Sequence, residues 1–438
     1  MNRHLPNPDE LLPVARFRSG LLSKMSIPAA STIVMAICTA KLAVAQQTPG
    51  ESLGNSAALE DRAKQQEAMP YTLKSGDFKL LVTPSLGFEW NDNINLSHDQ
   101  AISDYIISPM LRLDGSYLFT SRNLVQFNIG VGYDKYIQHD EYSGIRLMSG
   151  SGISFDLYIK DFWINLHQNF QYTLDTAGQP DVANTGFYGG WNNTAGLSGT
   201  WDLEDVLLTL GYDHLNFVSS SSLFDYTDSA TELLSARAGF RFGQRLTAGV
   251  EGSVGFTSYN QPVLNNNTAY NAGLYADWRD SYLEVKARAG YSFYDFKQTS
   301  VVIPAMNEDT WYADLELSHA LTDALSYSLG AGHELRLGVQ ADVVEAWYLR
   351  PRVNWAFLKN WSLGASFSYE NGKLGNSDLL GVTAEHYEWS GLTFGLARSV
   401  TSKLSLEVHY RLTVRSSDFA AREYTQNAVG LGVSYQFR

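Results

Sequence analysis

Cysteine is almost absent: the 438 residues include only Cys38. That excludes a disulfide framework and any cysteine-built metal site. Charge is also scarce, at 18% Asp, Glu, Lys and Arg, against roughly 25% in soluble domains. Beyond residue 40 no apolar run approaches the ~20 residues of a membrane-spanning helix, which excludes a helical membrane protein. No His-Glu-x-x-His, P-loop or Cys–His pair occurs, and the one Gly-x-Ser-x-Gly, Gly50–Gly54, lies in a polar stretch without the strand before it that a nucleophile elbow needs, so the common hydrolase, zinc-protease and nucleotide-binding chemistries have no signature. His167, His333 and His409 fall inside strand-like segments and read as wall residues rather than bases. The chain reads as a protein that is not an enzyme and has no cofactor and no metal.

What is plentiful is aromatic and small. Aromatics are 13%, with 25 Tyr, and there are 36 Gly, while mean hydropathy is only −0.19. That balance suits a sheet with one apolar and one polar face. At the start, Arg16, Arg18 and Lys24 precede an apolar run from Ile27 to Ala40 and then Ala43-Val44-Ala45. Together these predict a signal peptide over 1–45, with Gln46 as the mature start and Met25 as an alternative initiator. Ile37, before Cys38, is too large for a lipoprotein site. Without the leader, 27 basic face 44 acidic residues, a net charge of −17, which argues against nucleic acid as a partner. Residues 46–76 are polar and include a helix-favouring stretch from Ser56 to Met69. They are expected to form a short periplasmic tail, too small for the plug of a TonB-dependent receptor.

From Phe78 onward the period is 2, as in a β-strand. Leu283, Val285, Ala287, Ala289, Tyr291 and Phe293 alternate with Glu284, Lys286, Arg288, Gly290 and Ser292. Eighteen such segments can be traced from 78–91 to 424–437. Their connections alternate in length. Short ones such as Lys160-Asp161 and Leu203–Asp205 follow long ones centred near Asn95, Asp140, Gln179, Ser221, Asn265, Val301, Ala341, Gly375 and Asp418. A soluble β-sandwich would explain the alternation, but not this rhythm, nor strands this much longer than the usual 5–6 residues. In lipid an open sheet would leave edge groups unpaired, so the sheet must close. The expectation is an all-β fold: a transmembrane antiparallel up-and-down β-barrel of about 18 strands over 77–438, in the outer membrane of a Gram-negative bacterium. An even strand count puts both termini in the periplasm. Trp90, Tyr117, Phe162, Trp201, Trp311 and Trp355 sit near strand ends in the apolar phase, as aromatic girdles do.

Two local motifs add to this. The end, Gly432-Val433-Ser434-Tyr435-Gln436-Phe437, resembles the signal that outer-membrane barrels present to the barrel-assembly machinery. Gly432, Tyr435 and Phe437 are its candidate residues; Arg438 departs from the more usual terminal Phe. The run Glu89-Trp90-Asn91-Asp92-Asn93-Ile94-Asn95-Leu96-Ser97, followed by Ser103–Pro109, resembles the opening of the β-barrel porin 2 family over about residues 84–120. The resemblance implies fold and location more than substrate. By its oxygens alone the acidic-amide run suits Ca²⁺, but it lacks EF-hand spacing and reads first as a solvated outer loop.

The polar phase carries both signs. Arg112, Arg237, Arg241, Glu284, Lys286, Arg288, Asp314, Glu316, Arg350, Arg352, Glu407 and Arg411 are the candidate lumen constriction. On the lipid face such charges would each cost about 2–4 kcal/mol at the midplane, so this face is wet or internally paired. A transverse field that sorts solutes and a salt-bridged, rigid wall explain them equally. The long loops near Gln179, Ser221 and Val301 are placed to narrow the bore. The expected function is a porin-like channel for passive diffusion of small hydrophilic solutes, with outer-membrane lipid as its surroundings. The alternative is an envelope-biogenesis barrel assisting exopolysaccharide export or anchoring. Lumen-phase Tyr275, Tyr312 and Tyr348 point that way but are too few to decide. A plugged, structural barrel is a third reading.

Overall fold

The computed structural model describes residues 69–173, 176, 178–375 and 384–438. The expected signal peptide and all but the end of the tail lie outside the described residues. The alternation of apolar and polar residues builds the whole wall. The first long strand, β2 (Phe78–Asn91), has the limits that the alternation predicts. Strands β3 (Asp104–Leu118) to β19 (Tyr424–Tyr435) succeed it in antiparallel order. A short β1 (Leu73–Ser75) folds back on β2, Leu73 opposite Leu80.

The sheet closes. β19 pairs with β2 from Ala428 opposite Asn91 to Ser434 opposite Ser85, and Phe437 bridges Val82 beyond. Eighteen strands, β2–β19, therefore form a barrel with no free edge, which satisfies the backbone where lipid cannot. One irregularity lies in β5 (Gly144–Ile159). Its register with β6 (Phe162–Thr173) shifts between Leu147 and Ser151, where Gly150 takes φ +82°, a conformation natural only to glycine. Short turns close one end, with Lys160 and Glu204 at positive φ.

One phase of the strands faces outward and is predominantly apolar. Trp90, Tyr117, Phe162, Trp201, Trp311, Trp355 and Phe437 are all exposed there, as girdle residues at a bilayer interface would be. A soluble protein would not leave so continuous an apolar belt open to water. The other phase lines the lumen.

Several of the long loops do not stand clear of the barrel. We label them L1 (92–103), L2 (137–143), L3 (174–189), L4 (220–228), L5 (260–266), L6 (297–307), L7 (338–342), L8 (375–384) and L9 (418–423). Leu96 of L1, Val182 of L3, Leu264 of L5 and Ala341 of L7 are fully buried. Val182 and Tyr188 of L3 pack with Val339 of L7, with Phe217 at the end of β8 (Val206–Ser219) and with Phe224 of L4. Ala183 packs with Leu96, Ala341, Leu374, Tyr387 and Trp389. L3 and L7 thus meet over the bore. L4 and L6 take part as well, through Phe224 and Ile303, although Val301 at the tip of L6 is 82% exposed. The β14 (Leu325–Leu337)–β15 (Val343–Leu358) hairpin leans in to reach this roof. Its ladder with β13 (Glu308–Thr322) ends at Ala313 opposite His333, where the His333 ring bonds the Trp311 carbonyl instead at 2.8 Å.

Candidate functional site

The candidate lumen residues lie on six strands, one of them β3 and the other five within residues 229–417, rather than gathered at one ring. On β3, Arg112 holds Asp114 at 2.8 Å. Arg411 on β18 (Leu404–Ser417) holds Glu89 at 3.3 Å. Arg241 on β9 (Ser229–Phe242) holds Asp202 at 2.7 Å, close to the short turns. Lys286 sits between Glu284 at 3.6 Å and Glu316 at 3.9 Å, and the Glu316 side chain is 55% exposed. Glu407 is buried opposite Gly432. Arg352 faces the bore from β15 and pairs with no carboxylate among the described residues.

Two stretches of wall are more organised. Arg237 grips Glu251 of β10 (Leu246–Tyr259) at 2.7 Å and stacks over the Tyr275 ring at 4.8 Å. The Tyr312 hydroxyl donates to the other Glu251 oxygen at 3.1 Å. The Tyr312 ring lies so close over Gly290 that a Cβ there would come within 2.6 Å of it. Further round, Arg288 meets Asp314 at 3.2 Å, the Tyr348 hydroxyl donates to Asp314, and Arg350 stacks over Tyr348 at 4.4 Å. Arg350 also stands 3.6 Å from Glu370 of β16 (Trp361–Leu374). Most of these charges are thus paired within the wall.

A further cluster of buried charge lies under the roof, outside the candidate constriction set. Arg336 at the end of β14 reaches Glu370 at 2.8 Å, Glu334 at 3.3 Å and Asp181 of L3 at 4.0 Å. Tyr387 of β17 (Glu385–Ser399) donates to Glu370 at 2.8 Å. Arg415, fully buried, bonds Glu385 at 2.7 Å, the Pro180 carbonyl of L3 at 2.8 Å and the Arg422 carbonyl of L9 at 2.9 Å. Arg422 donates to the Asp181 carbonyl at 2.8 Å and to Gln340 of L7 at 2.6 Å. The Val339 amide caps Asp181 at 3.0 Å. L3 leaves the wall between β6 and β7 (Gly190–Asp202) and is held by β14, β17 and β18 on the far side. It therefore crosses the bore.

Burial tunes the roof's own ionisable groups. Desolvation raises the Asp342 carboxyl above its ordinary range, although two hydrogen bonds from Asn265 oppose this. Burial pushes the Tyr226 hydroxyl up to about 12. Burial and the nearby Arg415 guanidinium lower Arg422, against the pull of Glu385. Among the described residues no group of three or more His, Asp and Glu is arranged to hold a metal ion. In the acidic-amide run, Asn93 spends its side chain on the Ser97 carbonyl, the Thr425 carbonyl and the Ser97 amide.

The last strand carries the candidate assembly residues. Tyr435 and Phe437 point outward, ring edge to face at 5.1 Å, and Gly432 pairs with Gly87 across the closing seam.

No protein-family model matches the chain, and no curated protein matches it in sequence. Solved structures that it resembles include the outer membrane protein opdK of Pseudomonas aeruginosa, at 12% identity and a TM-score of 0.43, covering 82% of this chain and 99% of that one. OccAB3 of Acinetobacter baumannii is similar at 10% identity and 0.46, covering 83% and 100%. A BenF-like porin of Pseudomonas fluorescens is similar at 12% and 0.46, covering 82% and 99%. At such identities the function has to be read from this barrel's own geometry.

Proposed function

We propose that this chain is an outer-membrane porin-like channel for passive diffusion of small hydrophilic solutes, with both termini in the periplasm. The observation that carries the reading is a closed 18-stranded barrel whose inner wall is lined by charged side chains still open to water at the short-turn half, Glu284, Lys286 and Glu316 among them. A barrel of this strand number is wide enough for water unless loops fill it. Here L3 narrows it, and the cluster of Arg336, Arg415 and Arg422 against Asp181, Glu370 and Glu385 acts as the latch that holds L3 across. Solutes pass when L3 swings from that latch. The wall pairs around Arg237, Arg288 and Arg350 then set charge preference, with Arg352 the least committed cation among them. No bond is made or broken, so no catalytic group is required.

The glycan-export alternative needs aromatic faces free to stack on sugars. Two of the three lumen tyrosines, Tyr275 and Tyr348, have a guanidinium over the ring, which favours small polar solutes. Gly432, Tyr435 and Phe437 serve as the tag for the barrel-assembly machinery. Planar lipid bilayers test the channel reading: purified, folded protein should give discrete conductance steps. Folded, heat-modifiable protein that is silent at every voltage would remove the open-channel claim and favour the envelope-biogenesis role.

A further inference from the structure

The outward face carries polar side chains at its long-loop rim, such as Asn371 and Glu388, and in one sector they reach down into the apolar belt. On β6, β7, β8 (Val206–Ser219) and β9, six polar side chains point out of the barrel: Gln168, Asn193, Tyr212, His214, Asn216 and Glu232. They form three adjoining rows, with Tyr212 alone in the row toward the short turns, between Leu197 and Leu234. Gln168 and Ala195 lie beside each other across one ladder, and Ala195, His214 and Glu232 continue that row through the next two. Asn193 and Asn216 face each other in the row toward the long loops. Apolar, exposed residues bound the patch on both sides: Leu197, Leu210 and Leu234 toward the short turns, Trp191 and Val218 toward the long loops. The patch is thus set within the belt that meets lipid, not above it.

Its internal bonds leave it unfinished. Tyr212 donates to Glu232 at 2.6 Å, and His214 Nδ1 meets the other Glu232 oxygen at 2.8 Å. His214 Nε2 lies 2.8 Å from the Asn216 amide nitrogen, so Nε2 accepts and Nδ1 donates, which leaves Glu232 anionic. Gln168 donates to Asn193 at 3.1 Å. The Glu232 side chain is still 45% exposed. Acyl chains offer such groups neither donor nor acceptor, and unpaired polar groups in hydrocarbon are strongly disfavoured.

We infer that the outward face of β6–β9 is the contact surface for a second copy of this chain. The patch has two unlike halves at similar height. Gln168 and Asn193 on β6 and β7 offer amide N–H donors, and Glu232 with His214 on β8 and β9 offers a carboxylate. A two-fold axis along the membrane normal brings the left half of one copy against the right half of the other. The amides of each copy then meet the carboxylate of its partner. Ala195 stands between the halves, on the axis, and its small side chain lets the two walls approach. A lipid headgroup supplies anions, which Glu232 repels.

Site-specific cross-linking in native membranes tests this, with Cys38→Ser as background so that the introduced thiol is unique. Ala195→Cys should give a disulfide-linked species of twice the chain mass, while Phe394→Cys on the opposite wall stays monomeric. In mild detergent, light scattering should report a dimer for the unmodified protein. The Gln168→Leu/Asn193→Leu/Glu232→Leu variant should lose it while remaining heat-modifiable, which shows that the barrel still folds. If that variant does not fold, the Ala195→Cys result decides alone. A monomer with no cross-link overturns the inference, as does a cross-link to a different protein. A monomer that carries lipopolysaccharide lost in the triple variant overturns it too, in favour of a lipid site. None of these outcomes depends on whether the barrel conducts.

Discussion

Replacing Arg415 with Ala should open the barrel. The side chains of Arg415 and Glu385 are 0% and 1% exposed, and Arg415 bonds a wall carboxylate and carbonyls of both L3 and L9. Breaking a buried ion pair from one side costs about 3–5 kcal/mol, because the remaining charge is left without its partner. Here the lower end applies, since Arg422 stays 2.8 Å from Glu385 and still neutralises it. Once L3 is away, water reaches Glu385, so most of this cost falls on the latched arrangement alone. At about 1.4 kcal/mol per factor of ten, a loss of about 3 kcal/mol moves the balance toward the unlatched state by roughly 100-fold. Single-channel recording of Arg415→Ala should therefore show long openings where the unmodified protein opens briefly. Arg415→Lys keeps the charge but not the forked donor geometry, and should fall between the two. A folded Arg415→Ala protein with unchanged open probability would refute the latch.

The same geometry sets three further outcomes. Arg350→Ser/Arg352→Ser removes two cations from the bore, so reversal potentials in a salt gradient should shift toward cation preference; an unmoved potential takes both out of the conduction path. Asp342 has a raised carboxyl pKa, so the neutral acid is the form the roof prefers. Its stabilisation is complete below the ordinary carboxyl value of about 3.9 and is lost as pH rises through the raised one. Open probability should therefore increase as pH rises from about 4 toward neutrality, and Asp342→Asn should flatten that profile; superimposable profiles would exclude Asp342 as the cause. Tyr435→Ser/Phe437→Ser should lower the folded, heat-modifiable fraction in membranes severalfold, and equal yields would deny those residues a part in assembly.

Much of the barrel was legible because lipid and water impose a strict period of 2. Phe78–Asn91 and Leu246–Tyr259 keep the limits that alternation assigns. β13 runs to Glu308–Thr322 where alternation marks only 310–319, since Glu308 and Asp309 pair with β12 (Leu283–Phe296) where β14 has turned inward, and Ala320 and Thr322 pair with β14 at the other end. The latch was not legible. Asp181 lies in a loop with no period, and its meeting with Arg336 depends on how far L3 reaches across the bore. Glu370 and Glu385 stand at strand ends where the pattern fades. The outward polar patch escaped for the opposite reason: Glu232 and His214 sit in the lipid phase, where a period-based reading expects apolar side chains and looks no further.

Solute passage itself is the most direct test of the central claim. Proteoliposomes holding the folded chain should swell in isotonic solutions of small sugars and amino acids, at rates that fall steeply as solute size grows and rise with Arg415→Ala. Swelling no faster than that of protein-free liposomes, for both the unmodified chain and Arg415→Ala, would contradict it.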